Sequence, residues 1–275
     1  YPVTTAEPDA PNASSPSENQ SASLHPPKDL LDTAVAVESL TMKQEPPSAN
    51  PDDNQTVYTS DGKRFSGWLK HYLDSNKSQI QLLSEYKNGV HSGKSWTWHE
   101  NGQLESIEHA KNDVSHGSHI MWYANGQKAH EVTYKDGKLD GFGTLWHENG
   151  QKRQEGTFKD DELDGLVSVW YDTGEKKIES LYKNGKKEGK ETIWHENGQK
   201  RQEGTFKDGK LDGLVSVWYD NGLKHEETTF KDGQPNGLHV EWHKNGKKWM
   251  EATLKNGKLI GTATKWTKDG KLVSE

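Results

Sequence analysis

At 275 residues the chain has room for one or two domains, yet only 29% of it is hydrophobic and its mean hydropathy is −1.09, which argues against a thick-cored enzyme. The net charge of −7 falls within residues 1–60, where nine acids face two bases, and the remainder carries 33 of each sign. Neither part has the basic excess that displaces counterions from phosphates, so nucleic acid is disfavoured as a partner.

The absence of cysteine excludes disulfides, thiolate metal sites and thiol catalysis. No run approaches the ~20 apolar residues of a membrane helix. Residues 1–56 hold nine of the ten prolines together with much Ser, Asn and Ala, the composition of a disordered acidic tail or linker. A start at Tyr1 followed by such a tether reads as the product of a removed export signal, which implies an exported or envelope setting; a cytoplasmic one is the alternative. Within the tail, Lys28 to Lys43 is less polar. Leu30, Leu31, Ala34 and Val37 could line one side of a short helix, making this stretch either a docking peptide or plain linker. Residues 57–86 read as a degenerate repeat that caps the array, with Asp61-Gly62 as its turn, Gly67 its small residue and Tyr72 its aromatic.

From residue 87 to 275 the chain repeats every 24 residues. Tryptophan recurs at Trp98, Trp122, Trp146, Trp170, Trp194, Trp218, Trp242 and Trp266; a glycine precedes each by five positions and another follows by four. A third series, from Gly89 to Gly257, sits in Asn-Gly or Asp-Gly pairs, the strongest short hairpin signal because tight turns need positive φ. Two turns per 24 residues mean one β-hairpin per repeat, and eight repeats. Residues 146–172 and 194–220 match at 25 of 27 positions, so a two-hairpin block has been duplicated. The segments between turns alternate: Leu166 and Trp170 point one way, Val167, Val169 and Tyr171 the other. The expected fold is all-β, an elongated open antiparallel sheet of stacked 24-residue β-hairpins preceded by the disordered tail. The Trp series forms a structural ladder, because a hairpin buries its indole only with the help of its neighbours.

The consensus F/Y-K-D/N-G-K-x-x-G-x-x-x-x-W-x-x-N-G-Q-K-x-x-E-x-T resembles MORN-type repeats, specifically the bacterial variant found in the YwqK-type antitoxin family, over about residues 60–275. The resemblance implies an elongated twisted sheet, protein or lipid binding or toxin neutralisation, and no catalytic residues.

Candidate contacts are departures from the repeat. Trp96 stands where other units have Ile120, Thr144, Ser168 and Thr192, and Trp249 where they have Arg153, Lys177, Arg201 and His225; each is either an exposed contact or end-capping. A graded position reads Thr97, Met121, Leu145, Val169, Ile193, Val217, Glu241, Lys265. Its apolar middle either receives an extended partner or is covered by neighbouring side-chain stems. His99, His147, His195 and His243 are two hairpins apart and cannot share a metal ion. The acidic turn at Asp160–Asp164 imitates half a calcium loop but has Tyr171 where the bidentate Glu belongs. The row Glu131, Glu155, Glu179, Glu203, Glu227 and Glu251 is expected to pair across strands with Lys or Thr. No cofactor or metal is implied. The expected function is a protein-interaction or scaffold module, with a YwqK-like antitoxin or a surface adhesin binding glycan or membrane as alternatives.

Overall fold

The computed structural model describes residues 24–43 and 56–273. From Gly67–Tyr72 to Lys258–Lys265, each strand pairs antiparallel with the next in chain order, giving one open sheet of stacked hairpins. Two kinds of turn alternate along it. At the Asn-Gly and Asp-Gly turns both central residues have positive φ, as in Asn184 (48°) and Gly185 (72°), which matches the right-handed twist of the flanking strands. At the opposite edge, Trp-x-x-Asn-Gly loops close through His147 N–H donating to Gln151 O and Gly150 N–H to His147 O.

The loops also bond to their successors. Asn149 Nδ2 donates to Asp172 O, His147 Nε2 to Trp170 O and Tyr171 Oη to Trp194 O, each reaching 23 residues ahead. On the other edge Gly185 N–H donates to Leu163 O. These lateral bonds hold consecutive hairpins in one register, which is why Asn, Gly and the alternating His and Tyr keep strict spacing.

The two faces differ. On one, here the Val face, Val132, Val167 and Val215 are buried opposite glycine. A Cβ on Gly156 would lie 3.0 Å from Val167 Cγ2, and one on Gly204 3.1 Å from Val215 Cγ2, so a branched side chain fills the space that its neighbour leaves. The other, the Leu face, carries Leu166, Ser168 and the indoles.

Residues 24–40, expected as linker or docking peptide, are folded onto the sheet. A helix, Lys28–Thr33, leads into the strand Val35–Ala36, which pairs parallel with Leu69 and Lys70. Leu31 and Ala34 pack with Leu83, Trp96, Ile107 and Trp122 on the Leu face, and Lys70 Nζ donates to Leu31 O. The correction has a simple cause: sparse apolar residues in a polar stretch look like linker until a complementary apolar surface is known. Residues 1–23 and 44–55, the rest of that expected tail, lie outside the described residues.

Candidate protein-binding face

Met121, Leu145, Val169, Ile193 and Val217 occupy one register position on the Val face. Val169 lies between Gln154 and Ile178, and Ile193 between Ile178 and Gln202. Ile178 therefore joins the strip. These apolar residues are half-buried by their sheet neighbours and remain partly open. Polar groups close both ends. Thr97 and Ser106 share a hydrogen bond at one; at the other Glu226 faces Glu241, with His239 Nε2 2.9 Å from Glu241 Oε1 and Thr228 donating to Glu226.

Of the two unusual tryptophans, one is not available as an outward contact. Trp96 is 3% exposed, its ring centroid 5.6 Å from that of Trp68 and its Nε1 donating to Leu24 O. Its partner is the chain's own residues 24–34, which corrects the expectation of a surface contact there. Trp249 is 40% exposed. It fills the bulge between Lys248 and Met250, with its ring 6.3 Å from that of His243 in the adjoining loop. His225 leans on Tyr219 in the same way at 4.4 Å.

That bulge also rearranges the charges. Lys and Glu three apart on a regular strand point to opposite faces. Here an extra residue between them returns Lys152, Lys176 and Lys200 to the side of Glu155, Glu179 and Glu203, and each pair forms an ion pair within one strand. The same holds for Lys128, Lys224 and Lys248 with Glu131, Glu227 and Glu251. Cross-strand pairing was the expectation; among these glutamates Glu203 adds an ion pair across strands, to Lys190 at 3.1 Å, and Glu227 accepts a hydrogen bond from Ser216 on the neighbouring strand at 3.0 Å. Each lysine then lies over the next unit's indole, from Lys128 on Trp146 (5.1 Å) to Lys248 on Trp266 (5.2 Å). Trp98 and Trp122 pack into the cluster beneath the N-terminal segment.

Turn chemistry, indole ladder and loop-to-loop bonds thus recur as one unit. Five consecutive units match the MORN repeat variant. The matched stretches are 93–112, 115–136, 139–160, 163–184 and 187–208, well under half of the chain. No curated protein matches it.

Among the described residues no three His, Asp or Glu gather as a metal-ligand set. His91, His119 and His130 line the N-terminal part of the Val face, the last two with rings edge-on at 5.1 Å. Burial lowers the pKa of all three, opposed at His91 and His119 by the acid Glu108 and reinforced at His130 by His119. His91 Nε2 is buried with no hydrogen-bond partner among the described residues. Because the unfolded chain takes up protons more readily, stability is retained above the unfolded value of about 6.5 and lost as pH falls through it toward the folded values. Thermal melts between pH 7.5 and 5.5 should show a falling midpoint, and His119→Gln with His130→Gln should flatten the slope. An equal slope in that variant would place the acid sensitivity elsewhere.

Sequence reasoning missed a second row. Phe142, Leu166, Leu214 and Leu238 recur at one position of the 24-residue unit, on the Leu face, and are 50–57% exposed. Leu181 opposite Leu166 (42%) and Ile260 opposite Thr253 (49%) extend it. The 24-residue step and strand alternation were enough to find it; the row is interrupted by Lys190 and so reads less clearly than the Val-face strip.

Proposed function

We propose that this chain is a non-catalytic protein-binding module, in which the Val-face strip receives an extended segment of another protein and the proline-rich stretch acts as a tether in an exported or envelope setting. The MORN-type repeat architecture is consistent with binding or scaffolding. The observation that carries the reading is the strip itself: Met121 to Val217 spans nine strands, about 38 Å at ~4.8 Å per strand, with apolar residues on six of them, His130, Gln154 and Gln202 between, and polar groups closing both ends. That length accommodates roughly eleven residues of extended chain at ~3.4 Å each.

The double variant Val169→Lys, Ile193→Lys tests it. Both side chains are partly solvated, so the circular dichroism and melting of the wild type should persist, while a binding protein captured from the source cell by the wild type should be lost. Undiminished capture, or loss of folding, would overturn the assignment of this strip. A toxin-neutralising role is the second reading, supported by the resemblance of the consensus to antitoxin repeats; a toxin encoded beside the gene would favour it. Glycan binding at Trp249 is the third, resting on that ring's exposure. It requires that Trp249→Ala abolish retention on immobilised polysaccharide.

A further inference from the structure

The Val-face strip has a period as well as a length. Met121, Leu145, Val169, Ile193 and Val217 follow one another at 24-residue steps, each two strands beyond the last, so an apolar side chain recurs every ~9.6 Å along the row. On the strands between them stand His130, Gln154, Ile178 and Gln202. Past Val217 the row turns acidic: Glu226 lies directly opposite Glu241, where the preceding hairpins pair Gln202 with Val217 and Ile178 with Ile193. Resting on the reading of the strip as the binding surface, we infer that its occupant is a polyproline II segment of another protein, with an apolar residue at every third position and a basic residue at the end that meets Glu226 and Glu241.

Three observations select that occupant. The first is the period. A polyproline II helix has three residues per turn and advances ~9.3 Å in that turn, so every third side chain meets the next hairpin's apolar residue and falls only about 1 Å behind over the four steps from Met121 to Val217. A β-strand ligand returns a side chain to the sheet every ~6.8 Å and is out of step by about 3 Å at the first hairpin. Seven residues of α-helix advance ~10.5 Å, an error of about 3.6 Å over the same four steps. The second is hydrogen bonding. A polyproline II backbone makes no internal hydrogen bonds, so its carbonyls need donors. Gln154 and Gln202 stand four strands apart, ~19 Å or two turns of such a helix, and among the described residues neither side-chain amide has a hydrogen-bond partner. The third is charge. Like charges directly opposite one another are unfavourable. The partners of Glu226 and Glu241 are His239 and the Thr228 hydroxyl, and no Lys or Arg among the described residues reaches either acid. A cation on the ligand relieves that repulsion one to two strands beyond Val217. The same acids repel the chain's own proline-rich stretches: residues 1–23 and 44–55 carry six acids and no Lys or Arg.

A synthetic peptide serves as the probe: five leucines, two prolines between each leucine and the next, and Arg-Arg at one end. Labelled with a fluorophore and titrated with the full chain, it should bind saturably in the micromolar range. A peptide of the same composition with leucine and proline shuffled out of period should bind at least about tenfold more weakly, and so should an alternating Leu-Thr peptide ending in Arg-Arg, because each loses apolar contacts along the row. Glu226→Gln with Glu241→Gln should weaken the Arg-Arg probe about fivefold and leave a probe ending in Gln-Gln unaffected. No saturation by the wild type up to about 1 mM would overturn the inference. So would equal binding of the shuffled peptide, tighter binding of the alternating one, or an equal loss for both probe ends in the glutamine variant. The comparison of peptides uses the wild type and needs no variant to fold. The strip itself is tested separately by Val169→Lys with Ile193→Lys. If that variant loses the cellular binding protein while the wild type ignores the probe, the strip binds a partner of another conformation and only the polyproline II assignment falls. If the variant keeps both the binding protein and the probe, the strip assignment falls and this one with it.

Discussion

Trp96→Ala is expected to destabilise the fold by about 3–5 kcal/mol, the range for truncating a fully buried aromatic. The ring is 3% exposed, lies against Trp68 and belongs to the cluster of Leu83, Ile107 and Trp122, so its removal leaves a cavity that strand neighbours cannot close. A second effect distinguishes this site from any other core position. Trp96 Nε1 donates to Leu24 O, and the helix Lys28–Thr33 contributes no fully buried residue of its own. The N-terminal segment depends on that indole for its seat. Urea unfolding should show the lowered midpoint, and hydrogen exchange should show residues 24–40 exchanging freely under conditions where Val167 and Val215 stay protected. Retained protection at Val35 and Ala36 in the variant would show that the short parallel pairing alone anchors the segment.

The second large effect concerns a charge. Glu191 is 5% exposed at a Val-face position that other units fill with Val167 and Val215. It accepts a hydrogen bond from Ser180 Oγ, itself 2% exposed, and forms an ion pair with Lys187. Glu191→Ala should cost about 2–3 kcal/mol, because it leaves a buried hydroxyl and a partly buried ammonium without their acceptor. The lysine is a third exposed, and solvent screening of its charge keeps the figure below that of a fully buried pair. Glu191→Val removes the same acceptor from Ser180 and Lys187 and should cost within about 1 kcal/mol of Glu191→Ala, the difference being the apolar burial that alanine lacks. A valine variant as stable as the wild type, measured by chemical denaturation, would refute the idea that unpaired polar groups dominate here.

Much of this molecule was legible in its sequence. Asn-Gly and Asp-Gly turns fix where the chain reverses, and the 24-residue step of Trp and Gly fixes how many times, because both depend on local backbone chemistry. Alternation then placed Val167 and Leu166 on opposite faces, and the Val-face strip followed. Two features were hidden for physical reasons. The bulge at Arg153 and its equivalents breaks alternation by one residue, so Lys152 and Glu155, which a regular strand would separate, meet on one side and under an indole. The seat of residues 24–34 depends on contacts with Leu83 and Trp96, about fifty to seventy positions away in the chain, and no periodicity links the two. Trp96 could be recognised as unusual from sequence, but whether it looked outward or was covered depended on that distant segment.

The loop-to-loop bonds at the Asn and His positions have a mechanical consequence. Tension applied at the two ends of the stack acts across the strands, along the backbone hydrogen bonds, and loads one hairpin junction before the next. Each junction is held by the same few uncharged donors, so the ribbon would yield by peeling single 24-residue units, each releasing up to about 80 Å of chain. A protein built this way extends in steps under load and needs no hinge to do so.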